Sequence, residues 1–264
     1  MDEIVEYTYI VPTEWFGKNI QTNLNQAIVF ENKGIRIITS VEKDIASVET
    51  LFISLLTIHD LECPLSIEDI PLDMKHVLQN TMFECVYIKL IPEINSIQIF
   101  SNLTTHAFKY KKNIVIQRDK PYNLDRDLRT THESYITADR LLECIIHVKH
   151  SHSVSLHTSK SNNNFFLSGY DEENNKTWTY IQEKCKWTPG EGATRIHAKY
   201  FYTILGIIKN KIKFSNMLKI KMTDSNILIL VLLLNDGTHM KSIIAPMIQS
   251  GGVNVSNEDL PSTN

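Results

Sequence analysis

The chain has 264 residues, 42% of them hydrophobic and 22% charged, with a net charge of −3 at neutral pH. That balance supports a real hydrophobic core and excludes a low-complexity or disordered polymer. It also excludes a protein that grips nucleic acid with its whole surface, because that needs a net positive excess; any such contact has to come from a local basic face.

The first predicted element is a strand over 3–11, from period-two alternation. A helix follows over 12–24, opened by Pro12 and carrying Trp15, Phe16, Ile20 and Leu24 on one face, with Gly17 lowering its propensity. Strands are predicted at 27–31, 35–39 and 48–57, the first two joined by a turn at Asn32-Lys33-Gly34. A second helix is predicted over 69–82, with Ile70, Met74, Val77 and Leu78 inward and Asp69 as N-cap. Strands at 86–91, 97–101, 106–110 and 114–117 complete the first half.

Residues 118–131, RDKPYNLDRDLRTT, hold only Leu124 and Leu128 as large aliphatic residues and read as an exposed connector. A third helix is predicted over 137–149 behind Thr137. Strands follow at 153–158, 164–168 and 177–182, and then a fourth helix over 197–210 with Tyr200, Phe201, Ile204, Leu205 and Ile208 at helical spacing. The last strands are 217–222, 227–233 and 240–245, with a turn at Asp236-Gly237; residues 250–264 are small, polar and expected to be disordered. The helices start near residues 12, 71, 137 and 197, so the second pair repeats the spacing of the first, shifted by about 125 residues. The expected organisation is an N-terminal lobe 1–117, a connector 118–131, a C-terminal lobe 132–249 and a tail 250–264, the fold being α+β.

Enzyme chemistry finds little support. No phosphate-cradling glycine loop, nucleophile elbow or HExxH pair is present. His147, His150, His152 and His157 fall across a helix end and a strand without cysteine or carboxylate at ligand spacing, and read as surface histidines, so no metal or cofactor is expected. Asp171-Glu172-Glu173 reads as a solvated loop. Cys63, Cys85, Cys144 and Cys185 form no CxxC pair and read as reduced thiols. The start of the chain lacks a secretion-signal layout, and its longest apolar run, 227–234, is far short of the ~20 residues that span a bilayer. Ordinary solvated faces are one reading of the helices' polar sides. The other is a set of mildly basic surfaces that meet phosphates without reading bases, through Lys18, Lys75, His76, Arg140, Lys149, Lys199, Lys209 and Lys211.

This layout resembles the DNA sliding clamps of the proliferating cell nuclear antigen type. The resemblance covers residues 3 to about 249, chiefly by order and spacing of elements. Its clearest local match is NILILVLLLNDGTHMKSIIAPMI at 226–248, similar to the family's final hairpin and its Ala-Pro-x-Ile ending at Ala245, Pro246 and Ile248. Gly34-Ile35-Arg36-Ile37-Ile38-Thr39-Ser40 resembles the early hairpin, and Phe166-Leu167-Ser168-Gly169 a strand end of the second lobe.

The resemblance implies a non-enzymatic polymerase processivity factor: a homotrimeric ring with two helices per lobe on its inner wall, encircling double-stranded DNA without sequence preference. A clamp loader and clamp-binding proteins, including a DNA polymerase and repair factors, are the implied partners. The implied partner-peptide site is Val41, Ile45, Leu124, Leu128, Ala245, Pro246 and Ile248. The implied subunit interface pairs the segment holding Phe108, Tyr110 and Ile114 with the one holding Lys176, Trp178 and Tyr180. The place of action would be the nucleus or a viral replication compartment. The alternatives are a subunit of a heterotrimeric checkpoint-type clamp and a clamp-fold viral transcription or replication accessory factor.

Overall fold

The computed structural model describes residues 4–42, 45–53, 61–79, 84–100, 109–118, 128–137, 143, 150–159, 164–171, 176–182, 186–187, 192–209, 217–233 and 239–247. The first half runs β1 (Tyr7–Pro12), α1 (Thr13–Asn19), β2 (Asn25–Glu31), β3 (Gly34–Glu42), β4 (Ala46–Ile53), β5 (Leu65–Ile67), α2 (Leu72–Gln79), β6 (Cys85–Ile91), β7 (Ser96–Phe100) and β8 (Lys109–Asn113). The second runs β9 (Thr130–Thr137), β10 (Ser153–Ser159), β11 (Asn164–Asp171), β12 (Lys176–Gln182), β13 (Lys186–Trp187), β14 (Gly192–His197), α3 (Ala198–Lys209), β15 (Met217–Thr223), β16 (Leu228–Leu233) and β17 (His239–Ile244). Of the helix predicted at 137–149, Thr137 is the last residue of β9 and Glu143 is helical and exposed; the other residues lie outside the described ones.

Among the described strands there are three antiparallel sheets, ordered β1-β6-β7-β8, β12-β11-β10-β14 and β13-β9-β15-β16-β17-β4-β3-β2-β5. The order reveals a repeat. In the first half β1-β6-β7-β8 forms one four-strand unit and β4-β3-β2-β5 another. In the second half β9-β15-β16-β17 and β12-β11-β10-β14 take the same order with the same connectivity. Strand β17 therefore occupies the place of β8, and β12 the place of β4. The nine-stranded sheet exists because β17 pairs with β4, from His239↔Leu51 to Ile244↔Ala46, and that pairing is the seam between the halves.

Each half buries its own core. The first gathers Tyr9, Phe16, Ile28, Phe30, Ile35, Ile37, Met74, Leu78, Val86 and Ile88, all within 1% of full burial. The second gathers Val154, Leu156, Leu167, Phe201, Ile204, Leu205, Ile208, Leu218 and Ile220, and draws Ala46 and Val48 across the seam. On α3 the spacing 201, 204, 205, 208 makes one apolar stripe, so truncating any of these to Ala removes about 2–5 kcal/mol. Gly34 is required by approach. A Cβ there would stand 1.8 Å from the Phe52 carbonyl oxygen, where β3 meets β4.

Several boundaries differ from the sequence reading. Helix α1 ends at Asn19, where Ile20 turns extended at φ −86° and ψ 132°. The Gln26 side chain takes over the turn, accepting from Gln21 N at 2.7 Å and donating to Asn19 O at 2.9 Å. Helix α2 begins at Leu72, after Pro71, so Asp69 is not its N-cap. Of the strands predicted at 106–110 and 114–117, the described residues give β8 from Lys109 and, at Gln117, an isolated bridge to Ser66; 106–108 lie outside the described residues. Strand β9 begins at Thr130, inside the predicted connector. Its buried face, His132, Ser134 and Ile136, is largely polar and gives no hydrophobic alternation to read. Strand β14 escapes for the same reason, with Thr194 buried beside Ile196, and β5 has only three residues.

Candidate nucleic-acid and peptide interfaces

The polar faces of the helices do not contribute equally. On α1, Lys18 is exposed but ion-paired with Glu14 at 2.5 Å, one helical turn away. On α2, His76 is exposed. Lys75 is not a phosphate ligand: it is 5% exposed, and its ammonium donates to Gln21 O at 3.3 Å and Leu24 O at 2.5 Å. Sequence reasoning misses this because a lysine at that spacing looks solvated, while the carbonyls that capture it lie in a different element. Burial holds the Lys75 ammonium below the usual lysine range, with Asp69 opposing. Gln79 performs a similar task, donating to Ile20 O at 2.7 Å.

Helix α3 carries the open cationic face. Lys199, Thr203, Gly206 and Lys209 are all exposed. Thr203 Oγ1 donates back to Lys199 O at 2.9 Å, and the Lys199 ammonium stands 5.8 Å from the Tyr200 ring centroid. Lys209 sits in the last turn, where it complements the helix dipole. Arg140, Lys149 and Lys211 lie outside the described residues.

The candidate peptide site lies at one end of the nine-stranded sheet. Register places Ala46, Ile244 and Leu228 on one rung. One step beyond, Ala245 N donates to Ile45 O at 2.7 Å, tying the end of β17 to the β3–β4 turn. Val41 is half-buried against the second core, Ile45 is exposed at 37%, and Ala245 and Pro246 are half-buried. Leu128 is half-buried just before Arg129, whose carbonyl accepts from Asp224 N at 3.0 Å, which brings the start of β9 to the same sheet end. Val41, Ile45, Leu128, Ala245 and Pro246 thus come to one edge, although they are scattered over two hundred residues. Leu124 and Ile248 lie outside the described residues. Sequence reasoning misses two neighbours there: Ile227, next to Leu228 on that edge, and Met247, whose amide donates to Arg195 O at 2.7 Å.

Among the described strands, the candidate interface strand β8 is paired on one side, to β7, and β12 on one side, to β11. Lys176, Trp178 and Tyr180 stand opposite Asp171, Gly169 and Leu167 in register. Ile114 packs against the first core. Tyr110 donates its hydroxyl to Asp73 Oδ2 at 3.0 Å, and burial, then Asp73, pushes its pKa upward. Phe108 lies outside the described residues. Asp171 is buried, so the acidic run 171–173 does not begin in solvent. Among the described residues no group of three His, Cys, Asp or Glu could hold a metal ion, and no helix is long and apolar enough to cross a membrane.

No family model matches the chain, and no curated protein matches it by sequence. Among solved structures, the chain is similar to one in the complex described as the C-terminal region of FEN-1 bound to A. fulgidus PCNA. The TM-score is 0.64 and the identity 14%, over 92% of this chain and 99% of that one. At that identity the likeness concerns the fold: antiparallel sheets and helices in a PCNA-like α+β arrangement.

Proposed function

We propose that the chain is a DNA sliding clamp, a ring-forming processivity factor that encircles duplex DNA and tethers replication proteins to it. The observation that carries this reading is the seam. Strand β17 joins β4 within the chain, while among the described strands their topological equivalents β8 and β12 remain at sheet edges. Repeating the seam between chains, β8 of one to β12 of the next, gives a head-to-tail arrangement, and head-to-tail arrangements close into rings when the rotation permits. It also satisfies two rows of main-chain donors and acceptors. The fold likeness to a chain of a PCNA complex supports the same reading.

In this ring α3 offers Lys199 and Lys209, and α2 offers His76, to the duplex backbone. The sheet end at Val41, Ile45, Leu128, Ala245 and Pro246 receives a partner peptide. Light scattering of the full chain is the test: a mass near three chains, with stimulation of long-product synthesis on primed circular DNA, is expected. A monomer at all concentrations that does not stimulate synthesis overturns the proposal.

A second reading has its own observation. Strand β8 reads Lys-Tyr-Lys-Lys-Asn and β12 reads Lys-Thr-Trp-Thr-Tyr-Ile-Gln, so neither edge strand carries an acid. Pairing them brings lysines together without compensation from the strands themselves, which favours unlike partners and a heterotrimeric clamp. A single-chain mass that rises to a mixed ring on adding partner chains distinguishes it.

A further inference from the structure

We propose that Asp73 is a positioning residue that latches the edge strand β8 to helix α2, setting how well that strand is presented for pairing. In part this rests on reading β8 as the assembly edge.

Strand β8 is five residues long and has a sheet neighbour on one side among the described strands. Such a strand holds its place poorly through main-chain bonds alone. Its side chains alternate, so Tyr110 and Lys112 share a face. Both reach the same carboxylate: Tyr110 Oη at 3.0 Å from Asp73 Oδ2, and Lys112 Nζ at 2.8 Å from Oδ1 and 2.9 Å from Oδ2. Asp73 lies in the first turn of α2, where the helix dipole favours its negative charge. One carboxylate therefore clamps two positions of the strand from one point on the helix.

The other side of α2 is anchored as well. Lys75 and Gln79 bind the carbonyls of Ile20, Gln21 and Leu24, in the segment between α1 and β2. Helix α2 is thus a strut, fixed to the α1–β2 segment at one side and to β8 at the other. His76, exposed on the same helix, places the strut in the wall assigned to DNA. A displacement of α2 is passed to β8 through Asp73 as well as through the core that Met74 and Leu78 share with Tyr110.

The test uses the full chain. Asp73→Asn removes the charge and keeps the shape; Lys112→Met removes the other half of the pair. Amide hydrogen exchange is read at residues 109–113, with β15 and β16 amides as internal reference, beside light scattering over a range of concentrations. Both variants are expected to speed exchange at 109–113 about two- to fivefold, the scale of an exposed ion pair, with the reference unchanged. The double variant is expected to fall short of the product of the two, because both remove one interaction. Assembly shifts to higher concentration by a similar factor. Unchanged exchange at 109–113, or an equal rise in the reference, overturns the latch. A wild-type chain that stays monomeric defeats the ring reading, and the exchange result then decides the latch alone.

Discussion

Replacing Lys75 with Met separates a structural lysine from a DNA-binding one. Methionine retains most of the unbranched stem, so packing around Met74 and Leu78 is little changed. What disappears is an ammonium holding the carbonyls of Gln21 and Leu24. Hydrogen bonds to a charged group are worth about 1.5–3 kcal/mol each. Part of that is returned because the variant no longer buries a cation, whose cost shows in the depressed lysine pKa. The expected net loss is about 2 kcal/mol, or roughly 4–8 °C in melting temperature for a chain of this size. Calorimetry reads the stability, and binding to linear DNA at several salt concentrations reads the electrostatics. Lys75→Met should lower the melting temperature and leave the salt slope unchanged. An unaltered melting temperature with a slope reduced by about 0.9, the value of one neutralised phosphate, would refute the assignment and return Lys75 to the DNA wall.

The converse holds for α3. Lys199→Gln with Lys209→Gln should shift the melting temperature by less than a degree or two, because both side chains are exposed, while reducing the salt slope of binding to linear DNA by up to about 1.8 per subunit. Leu124→Ala with Leu128→Ala should weaken binding of a partner peptide, followed by fluorescence anisotropy, with the solution mass unchanged. His157 lies on β10, and burial holds its pKa below the ordinary 6.5. A histidine with a depressed folded pKa keeps its stability above the unfolded value and loses it as pH falls through the folded one. His157→Gln should therefore flatten the decline in stability below about pH 6.5, read by denaturant titration across pH.

The strongly periodic elements were legible. The stripe Phe201, Ile204, Leu205, Ile208 marked α3 to within a residue, and alternating Ile28, Phe30, Ile35 and Ile37 marked the first hairpin. Elements whose inward faces are polar were not. Strand β9 buries His132 and Ser134, a pattern that reads as a connector because burial there follows from the neighbouring strand, not from residue type. The candidate peptide edge was legible only through resemblance, since Val41 and Ala245 come to one sheet end across β17, β4 and β3, and Leu128 reaches it from the other side through β9, β15 and β16. The fate of Lys75 was not legible at all, because it depends on two carbonyls more than fifty residues away.

Those fates bear on the net charge of −3. Among the described lysines on the helix faces, Lys75 is spent on carbonyls and Lys18 is paired with Glu14. Among the described residues, the exposed basic groups left on these helix faces are Lys199 and Lys209, with His76 beside them. Two lysines per chain neutralise few phosphates, and the binding energy these residues supply falls steeply with salt. Under the proposed reading a closed ring is retained by topology, and weak, non-specific interactions let it move along the duplex. The same residues on an open monomer would release DNA at moderate salt. Retention on circular DNA and rapid release after linearisation is therefore the behaviour this charge distribution requires. Equal retention on both forms would mean that the chain holds DNA by a surface other than these helices.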